Sequence, residues 1–507
     1  MPGPMQVFFI PFFVPSHMNP MTDLACAFAA RGVDATMVVT PANGALIQRT
    51  VERAASAGLP IRILNYPFPS AEVGLAEGVE NLVSAPPEEE WKINRAVDLV
   101  QGIHERLLRE HRPHAVVADC FFASLTYVAG TWVSLGLIEH EPYAGLADGD
   151  NTPFLVPDVP DKVEMVKSEL PNHLRIVSHL TENREFMWKS TLECFGAVLN
   201  TFYDLEPAYC DQFLRTECRR GFFVGPYALL SEKKDDFEDR DDKCLAWLET
   251  QETASVVFVG FGSFLFFSKE QHWEMARGLE ASGRPFLWTL KESDFAGGGA
   301  DWLPEGFEER TRGQGLVVRG WVPQMAILNH RATGAFVTHL GWNSLIEGLY
   351  AGVPMITWPL AHEQFISERL VVNILRVGVR MWDGYRSSLP EAAAKAVVMG
   401  DAIARTVSRL LPPGFADEEV EALRKQAAGY RARVRAAVKE GVRPTTISPD
   451  SSMASRPSVQ KPSGGIPLSS PSPSWVSCLL LLRSFLHVVF SFMFLAICHL
   501  VPILPRL

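Results

Sequence analysis

The sequence predicts an α/β protein built from two Rossmann-like domains, and three observations carry that expectation. Near the N-terminus an apolar run, a helical pattern and a second apolar run follow in close succession. The same alternation restarts near Ser255. Between the halves lies EKKDDFEDRDD, from Glu232 to Asp242, a charged and weakly apolar stretch that suits an interdomain linker. A chain of 507 residues has room for two or three domains with sizeable cores.

Gln6 to Phe13 reads as a buried first strand, because its apolar run lacks a basic leader and is broken by prolines, unlike a signal peptide. Pro15-Ser16-His17-Met18-Asn19-Pro20 follows as a loop, and a helical pattern runs from Met21 to about Arg31. Gly32 suits its C-cap, and Asp34 to Thr40 reads as the second strand. Strand, helix and strand at this spacing form a βαβ unit, which implies a parallel sheet. His17 then lies at the carboxyl end of the first strand, the edge where open α/β sheets bind ligands. Glu88 to Arg109 reads as a long helix and His114 to Ala118 as a strand ending at Asp119. An aspartate there is either a helix cap or a partner for His17 across the sheet crest. Pro157 to Thr181 reads as a mobile region above the cleft, and Ala197 to Thr201 as another strand.

In the second half, Ser255 to Val259 reads as a strand, followed by the turn Gly260-Phe261-Gly262-Ser263. A helix from about Lys269 to Ser282 and a strand from Phe286 to Leu290 continue the pattern. The stretch Trp321 to Gln364, WVPQMAILNHRATGAFVTHLGWNSLIEGLYAGVPMITWPLAHEQ, is the most informative in the chain. An apolar run ending at Thr338 meets His339-Leu340-Gly341-Trp342, and Asn343 and Ser344 open a helical pattern. Strand, glycine-containing turn and helix N-terminus form the geometry that receives a phosphate. Ser344-x-x-Glu347 also has the form of a capping box, and the tryptophans and His339 have the alternative of serving as core residues.

Several classes are excluded. A net charge of -11 without a block of Lys and Arg argues against nucleic acid as partner. No G-x-S-x-G elbow supplies a hydrolase nucleophile, and no G-x-G-x-x-G lies between strand and helix for a dinucleotide. The eight cysteines show no CxxC pair and read as reduced thiols of a cytoplasmic protein.

As a whole, the box with W-x-P-Q, I-L-x-H, H-x-G-W-N-S-x-x-E, G-V-P and the closing Glu363-Gln364 resembles the signature of plant family-1 UDP-glycosyltransferases. Leu340 stands where that family usually has cysteine. The resemblance implies a GT-B arrangement, with two Rossmann-like domains facing across a cleft. It divides the chain into an acceptor domain over 1–226, a linker over 227–245 and a donor domain over 246–440. It implies an inverting transfer, with glucose the expected sugar, to a hydroxyl of a small lipophilic plant metabolite of flavonoid or triterpenoid type. His17 would be the catalytic base and Asp119 its orienting carboxylate. Trp321 would stack on uracil while the Val322 backbone reads the base edge, and Gln324 and Glu347 would bind the ribose. Ser263, His339, Trp342, Asn343 and Ser344 would line the phosphates, and Glu363 and Gln364 the sugar. UDP-sugar is a co-substrate, so no cofactor is expected. The resemblance implies no metal either, and the protein is expected to be a monomer.

Two departures accompany the resemblance. After Asp119, Leu125 to Gly130 runs almost directly into TWVSLGLIEHEPYAGLADGDNTPF, so the family's next strand and loop are missing or replaced. Thr131 to Ile138 alternates enough to substitute; otherwise the chain is a catalytically impaired relative that binds nucleotide sugars. After Gly441 the family's closing helix is replaced by a Ser/Pro-rich stretch over 441–474, expected to be disordered, and an apolar tail over 475–507. That tail has three readings: an aberrant transcript end, an anchor at the cytosolic face of a membrane, or a buried helix.

Overall fold

The computed structural model describes residues 4–86, 89–120, 137, 141–147, 151–171, 174, 195–216, 220–226, 243–262, 267–291, 302–361, 363–389, 392, 396–411, 418–440 and 494–498. The linker up to residue 242 and most of the two C-terminal segments fall outside these residues, as does the candidate substitute strand apart from Leu137.

Two sheets carry the molecule. The first contains β1 (Gln6–Ile10), β2 (Asp34–Val39), β3 (Ile61–Asn65), β4 (Ala115–Cys120), β7 (Gly196–Leu199) and β8 (Gly221–Phe223). Phe154–Leu155 (β5) and Glu164–Met165 (β6) form a separate antiparallel pair. The second sheet contains β9 (Val256–Gly260), β10 (Phe286–Leu290), β11 (Gly315–Arg319), β12 (Thr333–Thr338), β13 (Met355–Thr357) and β14 (Gly378–Arg380). Its order is β11-β10-β9-β12-β13-β14, and every pairing is parallel. Parallel strands need crossover helices, which bury both sheet faces and so demand strands apolar on both sides. β1 meets that demand. Val7 and Phe9 pack with Met21, Leu24 and Phe28 of the helix Pro15–Ala29, while Phe8 packs on the other face with Ile93, Ala96 and Val100 of the helix Glu90–His111.

One strand of the first sheet comes from the far end of the chain. The order is β3-β2-β1-β4-β15-β7-β8, where β15 is Phe494–Cys498, antiparallel to both neighbours. The place between β4 and β7 is therefore taken by Phe494–Cys498.

Two expectations are revised. The first helix begins at Pro15 rather than Met21, because Pro15 takes an early helical position where its absent N–H costs nothing. His17 thus sits in a first helical turn, not in a loop. The described part of 157–181 is pinned rather than mobile. Arg369 pairs with Glu169 across the domains, Arg386 joins Glu169 at 2.6 Å and Glu368 at 2.7 Å, and the Ser388 N–H donates to the Ser168 carbonyl at 3.0 Å.

Candidate active site between the two domains

The base candidate is built by β1, β4 and the helix Pro15–Ala29. β1 pairs with β4 in parallel, bringing the carboxyl ends of both strands to one edge. There the His17 Nδ1 lies 2.8 Å from the Asp119 Oδ2, with the two residues only 3% and 4% exposed. The Phe12 N–H donates to the same carboxylate oxygen at 3.2 Å. Burial pushes the Asp119 carboxyl above its ordinary range, and the imidazole and the Phe12 N–H pull it partway back. A carboxylate on Nδ1 favours the tautomer that leaves a lone pair on Nε2, and Nε2 has no partner among the described residues. That nitrogen is placed to accept a proton.

The donor candidate is assembled by β12 and the helix Trp342–Ala351. Gly341 is the N-cap, so Ser344 lies inside the helix and the capping-box alternative does not apply. Instead, the Gln324 Nε2 donates to the Ser344 Oγ at 3.2 Å and to the Glu347 Oε2 at 2.6 Å. Gln324, three residues after Trp321, thus joins Ser344 and Glu347, about twenty residues further on; Trp321 is 74% exposed, while Val322 is buried. His339 stands between two glycines. A Cβ at Gly262 would come within 2.9 Å of its ring, and one at Gly341 within 2.5 Å. Burial, aided by the nearby Lys291 charge, lowers the His339 imidazole to about 3, so it is neutral at pH 7. Leu340 holds a positive φ of 64° while fully buried, a conformation that costs a non-glycine residue roughly 1–3 kcal/mol. Ser263 lies outside the described residues.

The two halves meet at the start of that helix. The Trp342 indole N–H donates to the Asn200 carbonyl at 2.6 Å. The Asn343 amide donates to the Ser16 carbonyl at 3.5 Å, and its oxygen accepts from the Asn200 amide at 3.4 Å. The residue adjoining His17 is therefore tied to the start of the helix Trp342–Ala351. Glu363 and Gln364 lie at the start of the neighbouring helix Gln364–Arg369. The Gln364 Oε1 accepts from the N–H groups of Leu360 and Ala361 at 2.9 and 3.1 Å, which leaves its Nε2 as the end to offer a ligand. The Glu363 Oε2 is buried without a partner among the described residues, and burial holds that carboxyl well above its ordinary range.

Comparison with known proteins decides the family. The family model for UDP-glucoronosyl and UDP-glucosyl transferases matches residues 237–400. The chain is 37% identical to the anthocyanin 3'-O-beta-glucosyltransferase of Gentiana triflora, over 86% of this chain and 95% of that one. This chain is a UDP-glycosyltransferase. It is also 34% identical to the scopoletin glucosyltransferase of Nicotiana tabacum, over 87% of this chain and 95% of that one. Among solved structures it is similar to Glycyrrhiza uralensis UGT73P12 complexed with glycyrrhetinic acid 3-O-monoglucuronide, with a TM-score of 0.78 and 30% identity over 86% of this chain and 92% of that one. The two-sheet architecture is accordingly GT-B, and the enzyme is a hexosyltransferase that uses a UDP-sugar.

Sequence reasoning missed three participants of this UDP-glycosyltransferase. Asn200 ends β7 and receives the donor-site helix, but an asparagine after a strand carries no signal without its tertiary partner. Lys291 ends β10 and acts on His339, yet nothing beside it in sequence marks it. The Glu169–Arg369 pair joins segments too distant for any local pattern to connect.

Proposed function

We propose that the enzyme moves glucose from UDP-glucose to a hydroxyl of a small lipophilic plant metabolite, of flavonoid or triterpenoid type, with inversion at the anomeric carbon. The observation that carries this reading is the buried His17–Asp119 pair lying next to the residue bonded by Asn343. In this reading His17 is the base and the start of the helix Trp342–Ala351, bonded to its neighbour Ser16, receives the phosphates. The names of similar proteins support the acceptor class: they include enzymes of anthocyanin, flavonoid and scopoletin glucosylation, and a complex with a triterpenoid glucuronide.

In this scheme Trp321 stacks on uracil and the Val322 backbone reads the base edge. Gln324 and Glu347, already held together, accept the ribose hydroxyls; a carboxylate suits two adjacent hydroxyls. The N–H groups opening the helix Trp342–Ala351, with neutral His339, Asn343, Ser344 and Ser263, receive the diphosphate. Fixed donors there stabilise the charge that builds on departing UDP, so the reaction proceeds without a metal. Trp342 serves the same site by docking its helix on Asn200. Glu363 and the Gln364 Nε2 hold sugar hydroxyls. His17 Nε2 takes the acceptor proton, Asp119 steadies the imidazolium, and the freed oxygen attacks the anomeric carbon opposite UDP. A single displacement of this kind needs no carboxylate nucleophile.

The test is incubation with UDP-glucose and a panel of flavonols and triterpenes, following UDP release and UDP binding separately. Acceptor-dependent release is expected, and EDTA should leave its rate unchanged. UDP binding without such release would overturn the transferase assignment in favour of a protein that only binds.

A further inference from the structure

The C-terminal strand has a role that neither the family nor the donor site explains. β4 and β7 do not pair with each other; each pairs with β15. Phe494 to Cys498 lies opposite Cys120 to Val116 on one side, and Phe494 to Ile497 opposite Leu199 to Gly196 on the other. Removing this segment would leave two facing rows of unpaired N–H and C=O groups in the middle of a sheet, a ready template for another strand. The segment reads FLAIC, without charge, glycine or proline. A strand covered on both faces requires such a continuous apolar run.

We propose that the slot between β4 and β7 is a strand-receiving interface whose occupant is the chain's own Phe494–Cys498, and that this strand sets the placement of Asp119. Leu495 lies in register with Asp119 on β4 and with Val198 on β7. β7 leads within two residues to Asn200, which receives Trp342. One tail strand therefore spaces the strand that orients the catalytic base from the strand that docks the donor-site helix. Two strand spacings amount to roughly 9–10 Å, and loss of the spacer cannot leave both attachments unchanged. Phe494–Cys498, once spent in the sheet, is not available to a bilayer.

The activity part rests on the transferase reading; the structural part does not, and the experiment separates them. Cys498 lies in register with Val116. Opposed Cα atoms in an antiparallel pair are about 4.5–5.5 Å apart, within disulfide range. In the full-length Val116→Cys protein, mild oxidation followed by non-reducing peptide mapping should find a link from position 116 to Cys498 within one monomer. A link between two chains would overturn the claim that the occupant is the chain's own tail. So would a folded, monomeric protein in which Cys498 stays unlinked. Independently, Ala496→Pro removes a backbone donor in mid-strand. It should lower kcat at least tenfold with UDP affinity changed less than threefold, while Val459→Pro, in the Ser/Pro-rich stretch, leaves both unaltered. Equal activity of Ala496→Pro and wild type would overturn the placement role. Should the wild-type enzyme release no UDP with any acceptor, the cross-link still decides the strand assignment.

Discussion

Glu363 concentrates the tension between folding and binding in a single carboxyl. It is buried, its Oε2 has no partner among the described residues, and its proton is held well above the ordinary range. The unfolded chain gives up that proton near 4.5, so stability falls as pH rises above that value toward the folded one. Glu363→Gln should therefore raise the Tm of the ligand-free enzyme at pH 8, with the gain vanishing near pH 4.5, while weakening UDP-glucose. Differential scanning fluorimetry across pH, paired with a donor titration, checks both halves. A variant less stable than wild type at pH 8 would contradict the buried, unpaired carboxyl. His339 has the opposite sign. Its folded imidazole titrates at about 3 against an ordinary 6.5, so the unfolded chain binds the extra proton between those values and stability falls as pH drops below about 6.5. The acid-side loss of Tm should be shallower in His339→Gln than in wild type.

At the scale of elements, local pattern found most strands and helices, because each relied on its own composition. The helix Lys269–Ser282 and the strand Phe286–Leu290 lie where periodicity placed them, since Ser268 caps the helix and Gly283 ends it in a left-handed turn. The start of the first helix was misplaced because Pro15 and Pro20 look like breakers, while only Pro20 lies deep enough to cost a hydrogen bond. The convergence of Gln324, Ser344 and Glu347 was legible only through the family signature. The interdomain clamp was not legible at all, since its carboxylates and guanidiniums come from segments without a shared pattern. That clamp is nonetheless deeply buried, with Arg369 and Glu169 each about 5% exposed in their side chains. Arg369→Met leaves Glu169 and Glu368 short of one cation, although Arg386 still serves both. It should cost about 3 kcal/mol, the lower end for breaking a buried pair, and loosen the helix that begins with Gln364. Urea unfolding gives the first quantity and the KM for UDP-glucose the second. An unchanged unfolding midpoint would show that the clamp adds nothing.

For the whole molecule, the two Rossmann-like halves put the proposed base and the proposed donor site on separate sheets of one GT-B fold. The carboxyl edges of both sheets face one cleft, and the start of the helix Trp342–Ala351 fastens one edge to the other through Ser16 and Asn200. The sequence pointed to a sheet lacking a central strand. The sheet is instead continuous, because a segment from the opposite end of the chain, with a compatible apolar composition, takes that place. A central strand drawn from so far away has no local signature, so nothing near Asp119 in the sequence marks it. No helix among the described residues is long and apolar enough to cross a membrane.

The central claim is that His17 acts on the acceptor while the donor is held elsewhere. The most direct measurement is steady-state turnover of His17→Ala set beside its UDP affinity from calorimetry. Turnover should fall by roughly 10²–10⁴-fold with UDP affinity nearly intact. Turnover and affinity falling together, or turnover unchanged, would contradict it.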